Sequence, residues 1–128
     1  MRNKSRIVPS DAKFSMWIYA VRRQGDEFFR YVGCTSQNPS ISLSRHLSTN
    51  FIFDFQKWAV DIRDRGGSLE IVVLAKLTGS DKKMLAAMAH ASEQLAIRNI
   101  ALRQASRRQP RLLNVTRSNP IDKQNRLK

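Results

Sequence analysis

Two short β-type runs near the start of the chain constrain its fold more than any other stretch of the sequence. The first, WIYAV, lies within a predicted strand over 14–22, and the second, FFRYVG, is predicted as a strand over 28–33. Both are rich in the aromatic and β-branched residues that favour strands. The polar stretch RRQGDE joins them and contains Gly25, which can adopt the positive φ that a turn needs. A β-hairpin is therefore predicted at this point.

The rest of the chain predicts three helices and one further strand. Asn38 and Pro39 form a helix-start signal before ISLSRHL. An aromatic stripe over 51–65 (Phe51, Phe55, Trp58, Ile62) recurs at helical spacing and predicts a core-facing helix, with Gly66 as its stop. SLEIVVLAKL, over 68–77, predicts a buried strand. The segment TGSD, which ends at Asp81, is predicted to turn and to cap a long helix over 82–105, which contains no Gly or Pro.

The charge balance of the chain is strongly basic. Among 128 residues, 23 are Lys or Arg and 10 are Asp or Glu, so the formal net charge is +13. Such an excess increases self-repulsion in the folded protein and is expected where the partner is a polyanion. Nucleic acid fits this requirement. An anionic membrane fits less well, because no strongly apolar helix carries a basic face. A soluble basic protein without such a partner is the alternative.

The cysteine content and the hydropathy pattern bear on where the protein acts. Cys34 is the single cysteine, which excludes an internal disulfide and a cysteine-based zinc site, and we expect it to fill space. The N-terminal stretch lacks the apolar run of a signal peptide. No stretch approaches the ~20 apolar residues that span a bilayer. We therefore expect a cytoplasmic protein with no membrane partner.

Two tyrosines and one carboxylate are the side chains best suited to take part in catalysis. Tyr19 and Tyr31 lie on adjacent strands of the predicted hairpin, so their hydroxyls can converge on one face. Glu93 is an isolated acid three residues after His90, on the same helix face, and could hold a divalent cation. A tyrosine could take part in proton transfer if cationic or metal neighbours lowered its pKa. These groups suit metal-assisted phosphodiester hydrolysis; the alternatives are core tyrosines and a surface His90.

The pair WIY (17–19) and YVG (31–33) resembles the two-part signature of the GIY-YIG nuclease family. Further features follow in that family's order: Thr35, a helix with His46, an aromatic helix with Trp58, the strand EIVVL, Glu93 in a helix, and LLN at 112–114. The resemblance covers 14–116, between a basic N-terminal arm (1–13) and a basic C-terminal tail (117–128). It points to a small stand-alone endonuclease of a phage, mobile element or bacterium, acting in the bacterial host cytoplasm if phage-encoded.

The resemblance implies an α+β fold with a three-stranded antiparallel β-sheet flanked by helices, and DNA cleavage with one divalent metal, Mg²⁺ (or Mn²⁺). Tyr19 and Tyr31 would line the site, one helping to activate the attacking water. His46 would assist proton transfer or phosphate positioning, and Glu93 would be the metal ligand. At the remaining matched positions, Gly33 would let the backbone pass close by, and Asn114 would brace the site or contact DNA.

The chain departs from the family pattern at two positions. Trp17 replaces the first glycine of GIY, a position that contributes backbone rather than chemistry. Ser42 occupies the place of the family's essential arginine, four residues before His46, and serine supplies no charge to a phosphate. Arg45 lies about 60° further round the helix and could reach the same phosphate. It could have taken over the role, the protein could be a non-cleaving relative, or Ser42 could have been introduced to silence the nuclease.

Several basic side chains are predicted to contact nucleic acid. Double-stranded DNA is the expected partner, and a homodimer or higher homo-oligomer could act on both strands. Thr35 could either cap the following turn or touch a phosphate. Asp26 and Glu27, in the hairpin turn, are predicted to be solvated. The predicted backbone contacts are Arg22, Arg23, Arg30 and Lys57, together with the cluster Arg107, Arg108 and Arg111.

Overall fold

The computed structural model of the chain describes residues 13–47 and 54–114, and only the backbone of His46 and Leu47. Three strands form one antiparallel sheet in the order β2-β1-β3. Helices flank this sheet, so the predicted α+β fold is confirmed. The C-terminal tail, Phe51 and all of the N-terminal arm except Lys13 lie outside the described ranges. The elements are β1 (Phe14–Arg23), β2 (Tyr31–Thr35), α1 (Pro39–Leu47), α2 (Asp54–Asp64), β3 (Leu69–Gly79) and α3 (Lys82–Ser106).

The hairpin forms as predicted, but its second strand begins later. β2 starts at Tyr31, opposite Val21, rather than at Phe28. The reason lies at Phe29, whose backbone N–H and C=O both bond the side chain of Gln104. Residues 28–30 therefore belong to the connection between the strands, where Gly25 has the predicted positive φ of 102°.

β3 is an edge strand, and its prediction as a buried strand was wrong. Its side chains are half-buried or exposed, and Val73 and Leu74 are among the exposed ones. Leu74 falls at a bulge, since the pairing steps from Ile18 with Ala75 to Tyr19 with Val73. An apolar run does not reveal strand order, and in a sheet of three strands only the central one is covered along both edges. That strand is β1.

The sheet packs helices against both of its faces because alternate side chains of a strand point to opposite sides. Towards α3, Ile18, Ala20 and Val32 join a core with Ala89 and Ile100. Towards α1 and α2, the opposite face builds a second core. Its buried members are Tyr19, Val21, Leu43, Phe55 and Ala59, with Trp58 packed against them, so the core role of the aromatic stripe is confirmed where the structure describes it.

The helix boundaries follow from local capping. Asn38 Oδ1 accepts the backbone N–H of Ser40 at 2.9 Å and opens α1. Gly66, with φ 83°, follows α2 and lets the chain turn away. Asp81 Oδ1 accepts the N–H of Met84 at 3.1 Å and caps α3, whose 25 residues match the predicted long helix. Among the described helices, none has the length and apolarity needed to cross a membrane.

Candidate functional site

The two tyrosines lie together on one face of the sheet, as the hairpin predicted. Tyr19 is opposite Gly33 and Tyr31 is opposite Val21, so the two side chains occupy diagonal positions on neighbouring strands. Their ring centroids are 6.2 Å apart, and the Tyr31 ring stacks on Phe55 at 4.1 Å. The helix α2 therefore fixes one tyrosine, which in turn borders the other.

The glycine of YVG gives Tyr19 its place. The phenol ring of Tyr19 crosses directly over Gly33, and a β-carbon at that position would lie 2.5 Å from Cζ and 2.6 Å from the hydroxyl oxygen. Such distances are far inside van der Waals contact, so any side chain there would displace the hydroxyl end of the ring. Gly33 thus lets a tyrosine, rather than a ligand, approach the backbone.

Ser42 meets the candidate site from α1. Its half-buried side chain shares a hydrogen bond with the Tyr19 hydroxyl. The position that the family resemblance assigns to an arginine is therefore directly beside a tyrosine hydroxyl. Arg45 is on an exposed part of α1, and its phosphate contact stays a prediction. The role of the His46 side chain falls outside what the structure describes.

Glu93 approaches the tyrosines from α3, on a different element again. Its side chain is only 20% exposed, and its Oε1 lies 3.9 Å from Nδ1 of His90. Burial raises the pKa of Glu93, and His90 offsets part of that effect. The Glu93 charge in turn helps to raise the pKa of Tyr19, Tyr31 and Cys34. A half-buried carboxylate therefore shares one electrostatic environment with both phenols.

The residues present fit a magnesium ion better than zinc. Within 13–47 and 54–114, the structure brings together no group of three or more His, Cys, Asp or Glu side chains that could hold a metal. Mg²⁺ keeps several of its waters and is often bound through one or two carboxylates. Glu93 meets that requirement, since its half-buried charge is only partly compensated by His90.

Both tyrosines are held in their neutral form. Burial is the main cause that raises the pKa of Tyr19, and a hydrogen bond with Ser42 acts in the opposite direction. Burial likewise raises the pKa of Tyr31, with further contributions from Tyr19 and Glu93. Proton transfer by a tyrosine was expected to require neighbours that lower its pKa. The side chains described do not lower the pKa of either tyrosine below its ordinary value. At neutral pH the phenols act as hydrogen-bonding groups.

Asn114 braces the hairpin. Its Nδ2 donates to the carbonyl of Val32 at 2.5 Å, and its Oδ1 accepts the N–H of Val32 at 2.7 Å. These bonds show that Asn114 braces β2, whereas a role in a catalytic site and a contact with DNA stay predictions. Sequence reasoning missed Gln104, which makes the equivalent pair with Phe29. Its only signal was its helical spacing of four from Ile100, a core position.

Three of the predicted DNA-contacting arginines are engaged within the protein. Arg22 bonds Glu70 at 2.9 Å. Arg23 bonds Asp26, also at 2.9 Å, and the Asp26 side chain is only 16% exposed, so the prediction of a solvated Asp26 was wrong. Glu27 is exposed as predicted. Arg30 donates to the carbonyl of Arg111 at 3.0 Å.

The other predicted contact residues have open surroundings. Lys57 is exposed on α2, and Arg107, Arg108 and Arg111 are exposed after α3. Thr35 Oγ1 accepts the N–H of Gln37 at 3.0 Å, which confirms the capping alternative. Burial raises the pKa of Cys34, which fits its predicted space-filling role.

Trp17, at the first position of the GIY-like motif, shares its sheet face with Tyr19. Lys76 lies over its indole ring, with Nζ 5.1 Å from the ring centroid.

Comparison with protein-family models, with curated proteins and with solved structures found no match to this chain. The GIY-YIG resemblance therefore depends on the motifs quoted above and their order.

Proposed function

We propose that this chain is a DNA endonuclease of the GIY-YIG type, which hydrolyses phosphodiester bonds with one divalent metal, Mg²⁺ or Mn²⁺. One observation supports this most: Tyr19 crosses over Gly33 and hydrogen-bonds Ser42 of a second element, and the charge of Glu93, on a third element, acts on its pKa. These are the positions at which the family pattern predicts a site. Burying a polar group without a hydrogen-bond partner costs folding free energy. A cluster of polar side chains at these positions therefore favours a functional role.

The residues of the chain divide the work of such a site. Neutral Tyr19 and Tyr31 would hold the attacking water and a phosphate oxygen by hydrogen bonds. Arg45 and His46, on the α1 side, would contact the phosphate. Glu93 would hold the metal ion, which when bound would supply positive charge to a phosphate oxygen.

The charge distribution supports double-stranded DNA as the partner. The net charge of +13 suits a polyanion, and the exposed cluster Arg107, Arg108 and Arg111 is free of acidic neighbours among the ion pairs described. Such a protein would act in the cytoplasm, that of a bacterial host if the chain is phage-encoded. A homodimer or higher oligomer would allow both strands to be cut.

Ser42 favours a second candidate, a nucleic-acid-binding protein on the same scaffold that does not cleave. The side chain at the arginine position carries no charge and is bonded to Tyr19 instead. Loss of one transition-state donor typically costs roughly two to three decades in rate. Binding to DNA would survive that loss, because it depends on the distributed positive charge.

Plasmid nicking in Mg²⁺ separates these functions. We expect Ser42→Arg to nick faster than the natural chain by roughly two decades or more, because it restores a charged donor. Metal-dependent cutting by the natural chain supports Arg45 as the substitute, whereas DNA binding without cutting supports the binder. If Ser42→Arg is no more active than the natural chain, the assignment of this position to the missing arginine is wrong.

Glu93→Gln tests the metal assignment in the same assay and in a thermal melt. We expect it to abolish cleavage and to abolish any Mg²⁺-induced rise in Tm, because the ligand for the ion is removed. Since burial raises the pKa of Glu93, the neutral amide should also raise the Tm measured without metal. Glu27→Gln, at an exposed position, is the matched control. Cutting that survived Glu93→Gln would reject Glu93 as the ligand.

A further inference from the structure

The long helix α3 exposes a second apolar face. Four large side chains on it are between 51% and 63% exposed: Met84, Met88, Leu95 and Leu102. With Ala91 and Arg98, both also exposed, they recur at alternating spacings of four and three. This is the spacing of the a and d positions of a heptad, the pattern with which helices pair. We call this set of six residues the α3 stripe.

The α3 stripe lies on the side of the helix away from the sheet. The buried positions Leu85, Ala89 and Ile100 define the side that faces the core. Leu95 follows Glu93 by two residues and so lies about 160° from it around the helix axis. Within the part of the chain that the structure describes, the α3 stripe is solvent-exposed along its length. A partner on the stripe would therefore leave the candidate site open.

The middle of the α3 stripe has surroundings of little charge, whereas exposed Lys83 and Arg103 adjoin its two ends. Arg98 is its one charged member, although the whole chain has a net charge of +13. The flanking positions are small or neutral: Ala87, Ser92, Gln94, Asn99 and Ala101. Two copies of so basic a protein repel each other over most of their surface. The α3 stripe is a surface where a second copy could approach with less of that repulsion, and its alanine permits close contact.

We propose that the α3 stripe is a homodimer interface in which α3 pairs antiparallel with α3 of a second copy. Pairing of one patch with itself closes as a two-fold dimer. A parallel pair would set Arg98 against Arg98 and would bring equal helix-dipole ends together. The antiparallel pair separates the two Arg98 side chains and opposes the dipoles. This proposal does not depend on the proposed function.

The dimension of the α3 stripe sets the expected strength of the dimer. From Met84 to Leu102 the helix rises about 27 Å, and one helix face of that length is smaller than the ~800 Å² per partner of a standard stable interface. The association should therefore be reversible, with a dissociation constant on the order of micromolar. The protein would be monomeric when dilute and dimeric when concentrated.

Sedimentation of the full chain, freed of nucleic acid, tests the proposal. High salt should be used to screen the repulsion between copies. We expect a monomer–dimer equilibrium, and we expect Leu95→Glu to weaken it by roughly a hundredfold, since two like charges would enter the interface. Ile41→Glu is the matched control, because Ile41 on α1 is 55% exposed and Leu95 is 57% exposed. Circular dichroism would establish that both variants are folded.

Spin labels test the orientation. In a Cys34→Ser background, an antiparallel pair predicts a short distance between labels at Gln94 and a distance of roughly 30 Å or more between labels at Lys83. A chain that stays monomeric at every concentration would overturn the proposal. So would a dimer that resists Leu95→Glu, or one that responds equally to Ile41→Glu. Labels at Lys83 as close as those at Gln94 would refute the antiparallel arrangement.

Discussion

Gly33 decides how close Tyr19 can come to the β2 backbone. The hydroxyl end of the phenol occupies the space where any other residue would carry its β-carbon. That placement aims the hydroxyl at Ser42 on α1, so the chemistry of the candidate site depends on the absence of one methyl group. The glycine and tyrosine of the two motifs are thus a contacting pair.

Gly33→Ala should displace the Tyr19 ring. We expect a loss of unfolding free energy of about 1–3 kcal/mol, typical of overpacking in a core, together with a large loss of any DNA cleavage. Gly79→Ala is the matched control, because a β-carbon there would lie an ordinary 3.8 Å from Leu85. Denaturant titration and plasmid nicking measure the two effects. Equal stability of the two variants would show that the ring can move at no cost.

The neutral tyrosines give the protein a spectroscopic signal of its site. Tyr19 and Tyr31 are the only 2 tyrosines in the chain, and burial is the main cause that raises the pKa of each above the ordinary 10.0. The unfolded chain titrates near 10, so the folded state binds more protons between 10 and the raised values. The contribution of these tyrosines to the unfolding free energy is therefore fully present below pH 10, and it is lost as the pH rises through their raised pKa values.

Tyrosinate absorbance should follow unfolding rather than precede it. We expect less tyrosinate in the folded protein than in the unfolded chain at pH 10, and a cooperative appearance of the remaining tyrosinate signal together with loss of circular dichroism at higher pH. The unfolded chain in denaturant is the control and should titrate as free tyrosine. A tyrosine that ionised below pH 10 with the fold intact would contradict the buried, neutral assignment.

At the scale of elements, residues 104–114 cover the free edge of the hairpin. Gln104 and Asn114 each place an amide against a backbone N–H and C=O, at Phe29 and Val32 respectively. Between them, the N–H of Leu113 donates to the carbonyl of Arg30 at 2.6 Å. A side-chain amide presents donor N–H groups and an acceptor oxygen in one plane, so it can bond a backbone N–H and C=O as a neighbouring strand does. This segment therefore substitutes for a fourth strand.

Gln104→Leu should be strongly destabilising. Its buried amide also donates to the carbonyl of Pro110 at 2.9 Å, so its removal leaves several backbone groups without their partner. Each unsatisfied buried group costs about 1–3 kcal/mol, and we expect a loss of unfolding free energy of at least about 2 kcal/mol. The same change at the exposed Gln24 should have little effect. Urea denaturation compares the two, and equal midpoints would reject the bracing role.

The sequence predicted what local physics determines. The caps at Asn38 and Asp81, and the alternation that sets Tyr19 beside Tyr31, depend on neighbours along the chain or across one turn. The brace by Gln104 spans a separation of 75 residues, and its spacing of four from Ile100 does not reveal Phe29 as its partner. The edge position of β3 depends likewise on strand order, which hydrophobicity does not encode. The place of Glu93 beside the tyrosines was implied only by the family resemblance.

For the whole molecule, the net charge overstates the number of cations available to DNA. Arg22 and Arg23 are paired with Glu70 and Asp26, and Arg30 is bonded to a backbone carbonyl. These arginines hold the hairpin and its connection in place. Of the predicted contact residues, those with open surroundings lie on α2 and after α3, so we expect the DNA backbone to be bound mainly there.

Paired substitution of Arg107 and Arg108 by Gln should lower both the affinity for DNA and its dependence on salt. Each phosphate that the protein no longer neutralises reduces the slope of log K against log salt by about 0.9, so removing both arginines should reduce it by nearly two. Arg65→Gln is the control, because this exposed arginine lies beyond the predicted contact set and pairs with Asp61. Fluorescence anisotropy over a series of salt concentrations measures the slopes. If the double Gln variant bound DNA more weakly with an unchanged slope, the cluster would support the fold rather than contact phosphates. The reason is that the salt dependence arises from counterions released when phosphates are neutralised.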